Sequence, residues 1–312
     1  MATQAPEHNK KTLNRASLTR FAWLSIAAAL TTITLKAGAY LLTGSVGLLS
    51  DAAEAFVNLA GAIMALSMLT IAARPPDQTH TYGHSKAEYF SSGLEGGLIL
   101  VAAVGILWNA TERLLHPHPL EQLGLGLAVS FVASLVNLGT SRILKSAGKR
   151  ANSITLESDA QHLMTDVWTS VGVIGGVGLV ALTGWTLLDS LVAIAVAINI
   201  IWNGVQLVRR SVAGLMDAAL PLNEQRIIES VMAKYRRKDV DFHALRTRQA
   251  ASRRFVTVHM LVPGAWTVQA AHCFAEDFET DVRAALGEAV ITTHVEPIED
   301  ELSMRDILLE QE

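Results

Sequence analysis

Six stretches of the chain stay apolar long enough to cross a bilayer as helices: residues 18–42, 46–72, 89–114, 123–144, 160–182 and 188–208. A hydrocarbon core of about 30 Å needs about 20 helical residues, and each stretch supplies roughly that many. Beyond residue 210 the long apolar runs stop and shorter periods take over. Apolar positions three and four apart predict an amphipathic helix over 223–236 and another over 268–286, the second opening after Thr267 as N-cap. Alternation rich in β-branched residues predicts strands over 242–249, 254–262 and 289–296. The expected fold is an α-helical membrane protein with six transmembrane helices, followed by a small α+β domain in α-β-β-α-β order with its helices on one sheet face. The expected divisions are an N-terminal segment over 1–17, the helical domain over 18–210, the α+β domain over 211–297 and an acidic tail over 298–312.

Composition sharpens this picture. The 312 residues are 50% hydrophobic and only 17% charged, too apolar and too charge-poor for an ordinary soluble chain. A net charge of −4 argues against a nucleic-acid partner, because neutralising phosphates takes a basic surplus. The single cysteine, Cys273, excludes an intrachain disulfide and a cysteine-based zinc knuckle, so a bound metal would be held by histidines and carboxylates. The residues before Leu18 run into a full-length span with no small-residue cleavage pattern, which reads as an uncleaved N-terminus. Loop charges set the orientation. Arg74, Lys86, Lys145, Lys149, Arg150, Arg209 and Arg210 fall on one side, whereas the loops after the first and fifth spans carry no Lys or Arg, so both termini are expected to be cytoplasmic.

Polar side chains inside a membrane are costly unless they pair or line a cavity, and they mark function by default. Glu54 and Asn58 are four residues apart on the second span; His162 and Asp166 are four apart on the fifth. At 3.6 residues per turn each pair projects from one helix face, so two opposed faces give a four-ligand N/O cage. Imidazole with two carboxylates suits zinc, iron, cobalt and related ions better than calcium. The same groups bind protons when the metal leaves, which is the physical basis of metal/proton exchange. The plainer alternative is a set of interhelical hydrogen bonds that only holds a bundle together. Asp51, one turn before Glu54, reads equally as an ion guide, a proton acceptor or a satisfied helix-end carboxylate; Lys36, Glu95 and Asn137 read as structural pairing residues.

These residues carry a resemblance. Gly44-Ser45-Val46 leading to Ser50-Asp51-Ala52-Ala53-Glu54 and Asn58, the run from Asp77 to Glu88, His162 through Asp166, Leu215-Met216-Asp217 and Leu245-Arg246-Thr247-Arg248 together resemble the cation diffusion facilitators, in particular bacterial exporters of zinc, iron or cadmium. The resemblance covers roughly residues 18–297 and implies a homodimer in the lipid bilayer, a cytoplasmic metal-binding domain and alternating access driven by the proton gradient. One departure stands out: family members usually have Asp or His at Glu54 and Asp at Asn58, so this cage keeps two carboxylates and exchanges a third for a neutral amide.

The same resemblance assigns two further metal sites. Asp77, His80 and His84 match a more exposed loop site, with a solvated polar turn around Gly83 as the alternative. His243, His259, His272 and His294 with Glu296 match a regulatory cytoplasmic two-metal cluster that would link protomers. Lys86 is implied to pair with Asp217 as a charge interlock. His116 and His118 read as incidental. The function expected is export of a divalent transition-metal cation (zinc, iron, cobalt, cadmium or manganese class) for protons, with metal, zinc or iron first, as substrate and regulator. The expected location is the bacterial inner membrane. A membrane-anchored metal sensor is the second reading, and an intramembrane metallohydrolase the third, weakened by the absence of a His-Glu-x-x-His pair.

Overall fold

The computed structural model describes residues 18–43, 46–115, 124–185 and 187–303. Expectations that rest on His116, His118, residues 1–17 or residues 304–312 lie outside these residues, as do those that rest on the side chains of Asp51 and Glu54. Two compact units are present, Met1–Val212 and Ala213–Glu312.

The first unit holds six long helices: α1 (Thr19–Thr43), α2 (Val46–Ala72), α3 (Ala87–Leu115), α4 (Gly124–Ala151), α5 (Ile154–Thr183) and α6 (Leu187–Leu215). Several outrun their apolar stretches. α4 continues to Ala151 and α5 begins at Ile154, because backbone bonding does not end where hydrophobicity does. Only Asn152, at φ 49°, and Ser153 separate them; the Ser153 N–H donates to Gly148 O at 2.9 Å and closes the end of α4. Asparagine tolerates this left-handed geometry better than most residues.

Three helices are both long enough and apolar enough to cross a membrane by length and composition, at Thr19–Leu42, Ala87–Glu112 and Ser190–Leu215, among the described residues. α4 and α5 dilute their apolar character with Lys145, Lys149 and Arg150 on one and Glu157, Asp159, His162 and Asp166 on the other.

Packing among these helices follows side-chain size. Leu18 and Ala22 of α1, Leu69 of α2, Leu144 and Ala147 of α4, and Leu156, Ala160 and Leu163 of α5 form one buried cluster. α3 and α6 pair separately through Ile99, Ala103, Ile200 and Leu207. Their close approach depends on Gly96, where a Cβ would meet Val208 Cγ2 at 2.8 Å. Small residues let helix backbones come together where the lipid supplies no hydrophobic drive.

The second unit runs α7 (Leu222–Tyr235), β1 (Asp241–Ala250), β2 (Arg253–Val262), α8 (Val268–Leu286) and β3 (Ala289–Pro297). Thr267 caps α8 by accepting from Ala270 N, and Gly287, at φ 84°, ends it. The sheet order is β1-β2-β3, antiparallel then parallel, with α8 as the crossover between the parallel strands. Val256, Val258, Met260 and Val262 of β2, Phe242 and Ile291 pack with Ile228, Val231, Ala275, Phe278 and Val282 of the helices, so both helices cover one face of the sheet. Phe278 is fully buried, with Phe242 at 4.8 Å between ring centroids. By strand alternation, His259, His294 and Glu296 stand on the other face.

Candidate functional site

The packing of α2 against α5 brings Asn58 to His162 and Asp166. Asn58 Nδ2 donates to Asp166 Oδ2 at 2.5 Å, and His162 Nε2 lies 2.7 Å from Asn58 Oδ1. An ionised carboxylate only accepts, so Asn58 must turn its amide toward Asp166 and its carbonyl oxygen toward His162, whose Nε2–H then donates. Asn137 of α4 adds a second donor to Asp166 Oδ2 at 3.1 Å, and Ser141 Oγ of α4 donates to Ala160 O of α5 at 2.6 Å. Asn58, His162, Asp166 and Asn137 are all less than 10% exposed, at 6%, 7%, 9% and 5%. Imidazole nitrogen, amide oxygen and carboxylate oxygen thus converge from three helices in a buried position, which is a donor set for a transition-metal dication.

Asp159 was not singled out by the sequence reasoning. It lies three residues before His162 on α5, is 3% exposed, and accepts from Ser25 Oγ of α1 at 3.0 Å. The i, i+3 spacing from His162 was the signal that could have found it.

Between α2 and α3, Asp77 organises a tight loop. Its Oδ1 accepts from Thr79 N at 2.9 Å, Thr79 Oγ1 at 2.8 Å and His80 N at 2.7 Å. His84 Nε2 lies 3.3 Å from Asp77 Oδ2, His80 Nδ1 lies 3.5 Å from Oδ1, and the two rings are 4.5 Å apart. The Thr79 hydroxyl first, then the His80 backbone N–H, hold the Asp77 carboxyl down to about 2. Asp77, His80 and His84 each offer a ligand atom within 4.8 Å of the others.

In the second unit the sheet register aligns histidines across all three strands: His243 of β1 opposite His259 of β2, and His259 opposite His294 of β3. Glu296 gathers them. Its Oε2 lies 2.9 Å from His243 Nε2 and 3.3 Å from His259 Nδ1, while Oε1 lies 3.4 Å from His294 Nε2. His243, His259 and Glu296 offer ligand atoms within 4.8 Å of one another. The register is broken by an irregularity between His243 and Arg246, with Ala244 at φ 49°. His272 does not join them within the chain: it is exposed on α8, on the layer that covers the opposite sheet face. Asp217 accepts from Arg248 Nη1 at 3.1 Å within the same unit.

Comparison with known proteins gives these arrangements a family. Residues 22–216 match the family model described as the cation efflux transmembrane domain, and residues 220–298 match the cation efflux protein, cytoplasmic domain. A protein of Synechocystis described as the uncharacterized transporter sll1263 is 53% identical over 280 residues, covering 90% of each chain. The cation-efflux pump FieF of Shewanella oneidensis is 31% identical over 277 residues, covering 89% of this chain and 93% of its own. FieF of Klebsiella pneumoniae is 25% identical over 280 residues, covering 90% and 93%. The two matched models follow one another along nearly the whole chain, and the chain belongs to the cation diffusion facilitator family, as an integral membrane protein that moves metal cations out by efflux.

Proposed function

We propose that the protein exports a divalent transition-metal ion from the cytoplasm in exchange for protons, by alternating access in a homodimer. The observation that supports this reading most is the buried set of Asn58, His162 and Asp166, bonded to one another at 2.5 and 2.7 Å across α2 and α5. With Glu54, one helical turn before Asn58, they form the transport site. The ion is of the zinc, iron, cobalt, cadmium or manganese class, with zinc or iron first, since imidazole and carboxylates suit those ions.

Proton exchange follows from the coordination chemistry. Protons and a dication compete for the same lone pairs of His162, Asp166 and Glu54, so a metal that takes the site displaces whatever protons these groups hold, and its departure lets them be regained. All six long helices cross the membrane in this reading. Asn137, Asp159, His162 and Asp166 are buried within the bundle, the exposed Lys145, Lys149 and Arg150 mark the cytoplasmic end of α4, and both termini lie in the cytoplasm of a bacterial cell at its inner membrane.

Asp77, His80 and His84 serve as an exposed loop site. His243, His259, His294 and Glu296 form a regulatory cluster, to which the exposed His272 contributes where two protomers meet. The cytoplasmic-domain model that residues 220–298 match is named for a dimer, which supports dimerisation. Lys86 and Asp217 act as a charge interlock, and Asp51 guides ions or accepts a proton. The protein works as a transporter and not as an enzyme.

Zinc uptake into inverted membrane vesicles with an imposed pH gradient tests the proposal. Uptake is expected to collapse when the gradient is dissipated, and to be lost in Asp166→Ala. Full uptake in that variant would instead favour a membrane-anchored sensor.

A further inference from the structure

A second group of carboxylates lies inside the helical unit beyond Asn58, His162 and Asp166. Glu95 of α3 is 1% exposed and Asp159 of α5 is 3% exposed. Ser91 Oγ donates to Glu95 Oε1 at 3.3 Å, the Ser158 hydroxyl lies near Glu95 while donating to Thr155 O at 2.9 Å, and Ser25 Oγ donates to Asp159 Oδ1 at 3.0 Å. α3 lies along α5, where Glu88 accepts from Ser153 Oγ and Thr155 Oγ1, and further along the pair the charge of Asp159 bears on Glu95. Three helices, α1, α3 and α5, therefore converge on one acidic pair dressed with hydroxyls.

One oxygen on each side chain remains over. Glu95 Oε2 and Asp159 Oδ2 are both buried and have no hydrogen-bond partner. Among the described residues no lysine or arginine forms an ion pair with either. A lone carboxylate removed from water costs several kcal/mol, and a second beside it adds repulsion to desolvation. Serine hydroxyls offset only part of that, because each gives a single proton to one oxygen. A cation against the two remaining oxygens, or a proton on one of them, offsets this cost.

We infer that Glu95 and Asp159, with the hydroxyls of Ser25, Ser91 and Ser158, form a second divalent-cation site within the helical unit, separate from the site of Asn58, His162 and Asp166. All of its donors are oxygen, with neither imidazole nor thiol, so it takes harder ions of the manganese(II) or magnesium class more readily than the site beside it. Asp159 is three residues from His162 on α5, so an ion held here waits about one helical turn, some 5 Å along the axis, from the proposed transport ligands. Such a position stages an ion before or after the transport site.

The inference concerns equilibrium binding and does not depend on the exporter reading. Manganese(II) alone is titrated into the full-length protein in lipid nanodiscs and the free ion counted by electron paramagnetic resonance. Glu95→Gln and Asp159→Asn are each expected to lose one bound manganese per protomer, or to weaken that step at least about tenfold, while Glu95→Asp retains it. Asp166→Ala is expected to lose a different ion, so its combination with Glu95→Gln loses both. Where Glu95→Gln fails to fold, Ser25→Ala carries the same test: it keeps both charges and is expected to weaken the step severalfold.

Unchanged manganese count and affinity in Glu95→Gln or Asp159→Asn overturns the site, as does a pair that holds only a proton, which leaves manganese binding untouched. Failure of the exporter reading is seen separately, as vesicle uptake that survives Asp166→Ala.

Discussion

Asn58 donates its side-chain amide to Asp166 at 2.5 Å across the interface of α2 and α5. An ionised aspartate at position 58 would have no proton to give, whereas the amide donates to Asp166 alongside Asn137 Nδ2 at 3.1 Å. In the proposed transport site a dication would displace this bond, with His162 2.7 Å from the other end of Asn58.

Replacing this residue tests the idea. Asn58→Asp puts two carboxylates face to face and removes the bond, so the metal-free protein should lose about 1–3 kcal/mol of stability while the affinity for a dication rises. Zinc titrations at several pH values are expected to show tighter binding and a steeper pH dependence. Identical curves for the two proteins would remove the amide from the account of selectivity.

At the exposed loop the prediction concerns pH. The Asp77 carboxyl is held down to about 2, first by the Thr79 hydroxyl. A depressed carboxyl adds stability that is present above its unfolded value near 3.9 and is lost as pH falls through the folded value, so the window lies between about pH 4 and pH 2. Across physiological pH Asp77 therefore stays ionised. Thr79→Ala should move the Asp77 titration upward, read as the carboxyl carbon shift in NMR. No movement would assign the depression to the backbone donors alone.

Glu296 reaches His243 at 2.9 Å, His259 at 3.3 Å and His294 at 3.4 Å, and supplies the carboxylate of that cluster. Glu296→Gln keeps the shape and removes the charge. Zinc is then expected to bind the cluster at least about tenfold more weakly, and the rise in melting temperature that zinc gives should shrink with it. An undiminished thermal shift would mean that the ion binds elsewhere.

Gly96 allows α3 to meet α6. A Cβ there would come within 2.8 Å of Val208 Cγ2 and 3.3 Å of the Val208 backbone nitrogen, and the second atom has little room to move. Gly96→Val should cost about 1–3 kcal/mol, measured by denaturant unfolding in detergent, with Gly97→Ala as a control at a position open to a methyl group.

Local features were legible along the chain because their causes are local. The helix over 268–286 and its Thr267 cap follow from periodicity and one hydroxyl, and the structure has α8 at Val268–Leu286 with Thr267 accepting from Ala270 N. Helix ends were less legible where polar residues continue a helix: α4 runs on through Lys145, Lys149 and Arg150, since backbone bonding continues past the apolar run. Asn137 read as a structural pairing residue from its position alone; that its partner is Asp166 depends on α4 lying against α5.

The sequence by itself determined the apolar stretches, the i, i+4 pairs of polar residues within them, the order of elements in the second unit and a resemblance strong enough to name a family. Each of these is a property of residues near one another along the chain, or of motifs read in order. Packing and pairing alone bring Asn58 to Asp166, set Glu95 within reach of the charge of Asp159, align His243, His259 and His294 in one register, and leave His272 apart from them on α8. These relationships join residues far apart in sequence, and they are set by which helix faces pack and which strands pair.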